Sequence, residues 1–400
     1  MRTRYATFIA LHAVSYMALV VLSTFLPLFL DQRGFSPSRI GTLLAIGPFV
    51  GLVAQPIWGT AGDRSRSKNL ILMILFAGAG LTSLLLYIPM GFMVAAVAMG
   101  IFFFFQISII PTHDALTLEF LDRRGWRFGP VRLAGSIGYS VMAVIAGLLV
   151  TVNLDFTFII FCLLCLAGSG VTALLPPVPG HQHQGRRVSF TALLGNRELM
   201  ALLSCSTVIC VTFFYHFAFF PLYYAQMGAD PSLLGWAIFV SSLPEVVLLL
   251  LADRMFERIG AQGMVILAGA VLTVRWLLMF WVRSPYVVLA VQLLHGVTFI
   301  LILFAVTFFI NRAVRPELKA SGQALNGVMI SAAARIVGSI AGGFLSERIG
   351  MRTMYLYCAF LAAATTVVFA GLHTLSRARR AASPQPDGDD PPRAGGIRGL

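Results

Sequence analysis

Apolar runs of about 20 residues recur along the whole chain, separated by short polar stretches. The runs lie at about 6–30, 38–59, 69–89, 92–117, 131–151, 154–176, 199–225, 231–252, 262–282, 285–311, 320–346 and 352–374. Each can cross about 30 Å of hydrocarbon at about 1.5 Å rise per helical residue. The pattern predicts an all-α membrane protein with twelve transmembrane helices. The first run is too long for a removable signal peptide and lacks a small-residue cleavage site, so it is expected to remain as the first span.

Composition agrees: 58% of the 400 residues are hydrophobic and 11% charged, with a mean hydropathy of +0.85, outside the soluble globular range. The net charge of +13 orients the chain rather than marking a nucleic-acid binder. With both termini inside, 21 Lys and Arg fall in inner loops or the tail and five (Arg33, Arg39, Arg283, Arg348, Arg352) in outer loops. That positive-inside bias fixes an even number of spans with cytoplasmic ends, as in a multi-pass protein of the cell inner membrane. The five cysteines all lie in predicted spans and read as packing residues. His181 and His183 sit in a polar loop and read as solvated.

The polar stretch 177–198 reads as a cytoplasmic linker between a six-helix bundle over 1–176 and another over 199–374, with 375–400 as a disordered cytoplasmic tail. The two bundles share a sequence. PLFLDQRGFSPSRIG (27–41) aligns without a gap on PLYYAQMGADPSLLG (221–235), and Asp63-Arg64 falls on Glu257-Arg258 at the same offset. Duplicated halves around a central site are a common carrier design, with alternating access by rocking one half on the other.

GTAGDRSRSK (59–68) then resembles the signature loop of the major facilitator superfamily. The resemblance implies that fold and assigns Gly59, Asp63 and Arg64 to a gating latch between helix ends. FGPVRLAGSIGY (128–139) resembles, more narrowly, the branch of lactose-permease-like and 3-phenylpropionate-permease-like proton symporters.

Charges at membrane depth cost about 2.5–3.5 kcal/mol each, so each needs a partner or a task. Asp114 and Arg132 flank the turn DRRGWR, each nine residues from its middle; two antiparallel helices put them at one depth, where Asp114 can neutralise Arg132. The family resemblance assigns Asp114 and Arg132 to gripping substrate and Tyr139 to stacking on it; a helix-packing ion pair is the alternative. Gln292, His295 and Thr298 share a helical face, with Gln292 a further substrate contact. The resemblance matches His295 and Arg275 to proton handling, but Thr298 stands where the sugar permease has its proton-carrying glutamate. Glu245 is the only acid within a second-half span, and is expected to carry the proton, paired with Arg275 or His295; a helix-stabilising salt bridge is the alternative. Arg335 has no evident partner. His12, His113 and His216 read as ordinary hydrogen-bonding groups.

These features point to secondary active transport, namely proton-coupled symport of a small organic solute. An aromatic carboxylate such as phenylpropionate fits the surplus of arginines; a sugar or nucleoside would use the same groups. A proton-driven multidrug exporter of the same fold is the competing reading. No nucleophile–base pair, ATP-binding loop or metal-ligand spacing argues for an enzyme. The expected partners are the solute, protons and membrane lipid, with no nucleic acid and no cofactor beyond the proton gradient, in a protein working as a monomer.

Overall fold

A computed structural model describes residues 2–178 and 191–382. The first stretch contains α1 (Arg2–Gln32), α2 (Pro37–Arg64), α3 (Lys68–Ser83), α4 (Phe92–Gln106), α5 (Ile109–Asp122), α6 (Gly129–Val152) and α7 (Phe156–Ala173). The second contains the short α8 (Thr191–Leu194), then α9 (Arg197–Gln226), α10 (Pro231–Trp281), α11 (Pro285–Ala313), α12 (Lys319–Asn326), α13 (Arg335–Ile349) and α14 (Met351–Ala382). Eleven helical segments among the described residues are long and apolar enough to cross a membrane. His181 and His183 and most of the expected linker lie outside the described residues. So does the tail beyond Ala382; before it, α14 outruns the span expected to close at 374.

Local sequence sets the helix ends. Pro37, Pro231 and Pro285 open their helices, where a missing N–H costs nothing. Asn196 and Asp230 cap α9 and α10 by accepting from the N–H of Leu199 and Leu233 at 3.0 and 2.7 Å. The 92–122 run is interrupted at Ile107-Ser108, so α4 and α5 are two pieces of one expected span. Gly260 interrupts the 51-residue α10 with φ 66° and ψ 177°, a conformation open to glycine. A π-helical stretch, Gly327–Ala334, joins α12 to α13.

The internal repeat has a structural counterpart. Gly34 and Gly228, equivalent in the two copies, end α1 and α9 with φ of +80° and +87°. Gly41 and Gly235, also equivalent, are points of closest helix approach. A Cβ on Gly41 would strike the Ser339 carbonyl of α13, and one on Gly235 the Ala143 carbonyl of α6. Gly343 against Pro37 O and Gly147 against Pro231 O complete two seams, α2 on α13 and α6 on α10. Small residues let membrane helices close on one another in this way. All four contacts lie toward the end of the bundle that carries Gly34 and Gly228. None of the glycines nearer the Asp63 end brings the two stretches together.

Candidate substrate cavity

The motif around Arg132 is a packing device that leaves a cation uncovered. Gly135, one turn on, makes room for the Tyr16 ring of α1, which a Cβ would meet at 2.7 Å, and Gly138 seats α6 on the Ala13 carbonyl. Arg132 then lies with its Cζ 4.8 Å above Tyr16, its side chain otherwise exposed. A cation–π contact contributes about 0.5–2 kcal/mol, less than the about 2.5–3.5 kcal/mol cost of a charge at depth. An anion is still required.

Glu245 of α10 is the acid whose charge acts on Arg132 across the α6–α10 seam, with no ion pair within 4 Å between them. Ser140 and Ser242 hydrogen-bond at 2.6 Å in the same seam. Tyr139 is held by a hydrogen bond with Ser23 of α1 and lies in the fields of both Glu245 and Arg335. Arg335 follows the π-helical stretch, is exposed, and approaches the Phe214 ring at 5.8 Å. Arg132, Tyr139, Glu245 and Arg335 are thus linked by their charges across α6, α10 and the start of α13. Arg335 carried no assignment from sequence; its neighbours are fixed by long-range packing.

Two expected pairings are corrected. Asp114 does not reach Arg132. Its Oδ1 lies 3.1 Å from His12 Nε2 and 3.4 Å from His113 Nδ1, so α1, passing beside α5, takes the carboxylate that equal depth had offered to α6. Nor does Glu245 pair with Arg275 or His295. Gly296 lets α11 pack directly on the α10 backbone at Glu245, a Cβ there lying 2.8 Å from the Glu245 nitrogen, and the charge that acts on the carboxylate is that of Arg132.

Arg275 is fully buried, and its Nη2 donates to Gln292 Oε1 at 2.7 Å and meets His216 Nε2 at 2.9 Å. His216 Nδ1 reaches the Tyr355 hydroxyl at 2.9 Å, and the guanidinium lies 4.9 Å over Trp276. Hydrogen bonds to a charged group contribute about 1.5–3 kcal/mol each, so these two offset part of the insertion cost, while Arg275 Nε and Nη1 have no partner. Gln292 is therefore spent on Arg275. His295 is buried among Phe213, Phe217 and Phe299, and Thr298 donates to its carbonyl at 2.8 Å. The group forms a polar core in the second stretch, apart from the cavity quartet.

At the Asp63 end, Gly59 and Arg64 are exposed on α2. Asp63 pairs with Lys68 at 3.2 Å rather than with an arginine, and Lys68 also reaches Glu119 of α5 at 2.9 Å, which Arg123 meets at 2.7 Å. Lys68, only 13% exposed, thereby ties the α2–α3 turn to α5. Lys68→Met should leave two carboxylates facing a gap and destabilise the fold by about 1–3 kcal/mol. The larger part comes from Glu119, because Asp63 is half exposed. A thermal-shift assay in detergent reads this; an unchanged melting temperature sinks it.

Comparison with known proteins places this geometry in a lineage. The MFS_1 like family matches residues 8–357. The chain is 24% identical to the maltose permease of Geobacillus stearothermophilus over 86% of its own length and 88% of that protein. It is 25% identical to the "Probable 3-phenylpropionic acid transporter" of Escherichia coli K12, over 82% of its length and 88% of that protein. In structure it resembles a mutant of the nucleoside transporter NupG, with a TM-score of 0.79 at 16% identity, covering 91% of this chain and 99% of that one. The chain, all-helical among its described residues and built from membrane-length helices, belongs to the MFS_1 like family and is a major facilitator superfamily membrane transporter rather than an enzyme.

Proposed function

We propose that the protein is a proton-coupled symporter of a small organic anion, with an aromatic carboxylate as the solute class. The observation that carries this is that Glu245 is the acid whose charge acts on Arg132 across the α6–α10 seam. A solute carboxylate and Glu245 compete for one guanidinium. With Glu245 ionised the pair is neutral and holds no net attraction for an anion. Once Glu245 takes a proton, Arg132 is free to bind the carboxylate. The charges of proton and solute cancel, so the empty and the doubly loaded site carry the same net charge, whereas solute alone or proton alone changes it by one. Tyr139 offers the solute its ring and Arg335 a second cation.

In this reading Gly260 divides α10 into two spans, giving twelve helices in two six-helix halves. The halves are closed at the outer, Gly34–Gly228 end, and the cavity opens to the cytoplasm, where the positive-inside bias puts both termini. The protein works as a monomer in the inner membrane, driven by the proton gradient alone. A neutral solute is the second reading, favoured by the likeness to a maltose permease and a nucleoside transporter; it would use Tyr139 and Asp114 for stacking and hydrogen bonding.

External pH decides between them in lightly buffered, de-energised cells. 3-Phenylpropionate should cause alkalinisation through the wild type, and Glu245→Gln should abolish it while retaining solute exchange between the two sides. Alkalinisation that persists in Glu245→Gln would remove Glu245 as proton carrier. A response to a galactoside or nucleoside alone would select the neutral solute. Proton release from preloaded cells on adding a hydrophobic cation, with silence from the other three, would make the protein an exporter.

A further inference from the structure

Beside the cavity, α1 and α5 turn three ligating side chains toward one point. His12 and His113 are fully buried, and the Asp114 side chain is 31% exposed. Asp114 Oδ1 stands 3.1 Å from His12 Nε2 and 3.4 Å from His113 Nδ1, and one ligand atom from each residue lies within 4.8 Å of the others. Ligands about 2.0–2.1 Å from a tetrahedral zinc ion are about 3.3–3.4 Å apart. Two separations therefore fit already, and a small rotation of the histidine rings brings in the third.

Hydrogen bonding accounts for one of these contacts, His12 Nε2 with Asp114 Oδ1 at 3.1 Å, and leaves the rest of the two rings unpaired. Neither ring nitrogen of His113 has a partner, nor does His12 Nδ1, and an unpartnered buried polar group costs about 1–3 kcal/mol. His113 Nδ1 faces the carboxylate oxygen at 3.4 Å without a hydrogen-bond geometry, as two atoms aimed at a common third point would.

We propose that His12, His113 and Asp114 bind one divalent ion of the zinc class, with a fourth coordination position open toward the cavity on the exposed side of Asp114. Two imidazoles and a carboxylate suit zinc, cobalt or nickel, whereas magnesium and calcium take oxygen ligands. The outer nitrogens, His12 Nδ1 and His113 Nε2, lack supporting partners. Such partners are worth about 10–100-fold in affinity, so the site is weaker than a structural zinc centre by about that factor and exchanges its ion. Bound metal ties α1 to α5 and reverses the local charge below Tyr16, whose ring lies 5.9 Å from that of His113. The site stands on these three residues whichever solute is carried.

Cobalt tests it in the full-length, tag-free protein, purified in detergent and stripped with a chelator. The wild type should take up one equivalent with the visible bands of a four-coordinate ion, displaced by zinc and lost as acid protonates the histidines. His12→Gln and His113→Gln should each lose the bands. The double variant His181→Ala/His183→Ala, in the polar sequence stretch 177–198, should retain them, which removes these two histidines as the source of the bands even if the other two variants fold poorly. Failure of the wild type to take up cobalt overturns the site. So does loss of the bands in the loop variant, or their survival in both His12→Gln and His113→Gln.

Discussion

Arg132→Gln will lower carrier-mediated uptake of 3-phenylpropionate by about 10²-fold or more. Hydrogen bonds from a guanidinium to a carboxylate contribute about 1.5–3 kcal/mol each, and a guanidinium offers two of them to one carboxylate. Here the loss falls on the solute, because Glu245 can take a proton when its cation is gone, whereas a carboxylate solute keeps only the Tyr139 ring and Arg335. Tyr16 keeps its place under Gly135, and Arg132 is exposed, so the fold should change by no more than the cation–π contact, about 0.5–1 kcal/mol at an exposed site. Arg132→Lys should fall between, retaining the charge but losing the planar group that matches both the ring and a carboxylate. Initial uptake rates in vesicles, normalised to monodisperse protein, check the order wild type, Lys, Gln. Wild-type uptake by Arg132→Gln sinks the assignment of Arg132 as the anion site.

The periodicity of the sequence carried the helices, because a membrane span is a local property: about 20 apolar residues are enough to specify one. The repeat also carried real geometry, as the matched φ of Gly34 and Gly228 and the matched contacts of Gly41 and Gly235 indicate. Depth along a helix is legible from spacing, which sets Asp114 opposite Arg132 only as an expectation. Azimuth is not. Which neighbour a side chain meets depends on how helices far apart in sequence lean together, and that gave Asp114 to His12 and brought Glu245 within the field of Arg132. His216 and Tyr355, which complete the Arg275 cluster, carry no local signal that separates them from packing residues. The fixed spacing of Arg132, Gly135 and Gly138 on one helix was the readable part of the cavity. Its glycines encode contact with α1.

The second large effect is expected at the closed end. Gly41→Val and Gly343→Val should each hold the seam between α2 and α13 open, stopping transport while leaving the ionic site intact. A Cβ on Gly41 meets the Ser339 carbonyl, and one on Gly343 lies 2.5 Å from Pro37 O. Both obstacles are backbone, so neither can rotate away; one helix must withdraw. Overpacking of this kind costs about 1–3 kcal/mol, which shifts the balance between closed and open forms by a factor of about 5–150. A cysteine at Ser38, whose N–H donates to Glu347 Oε2 at 3.1 Å across this seam, reports the change. Labelling by a membrane-impermeant maleimide should accelerate by that factor as uptake falls. Gly371→Ala, where a Cβ meets nothing within 4 Å, should alter neither. A general loss of stability would instead expose the buried native cysteines, Cys165 and Cys210 among them, so labelling confined to position 38 distinguishes a moved equilibrium from a damaged fold. Unchanged labelling together with normal uptake in both valine variants would mean that closure of this end is not part of the transport cycle.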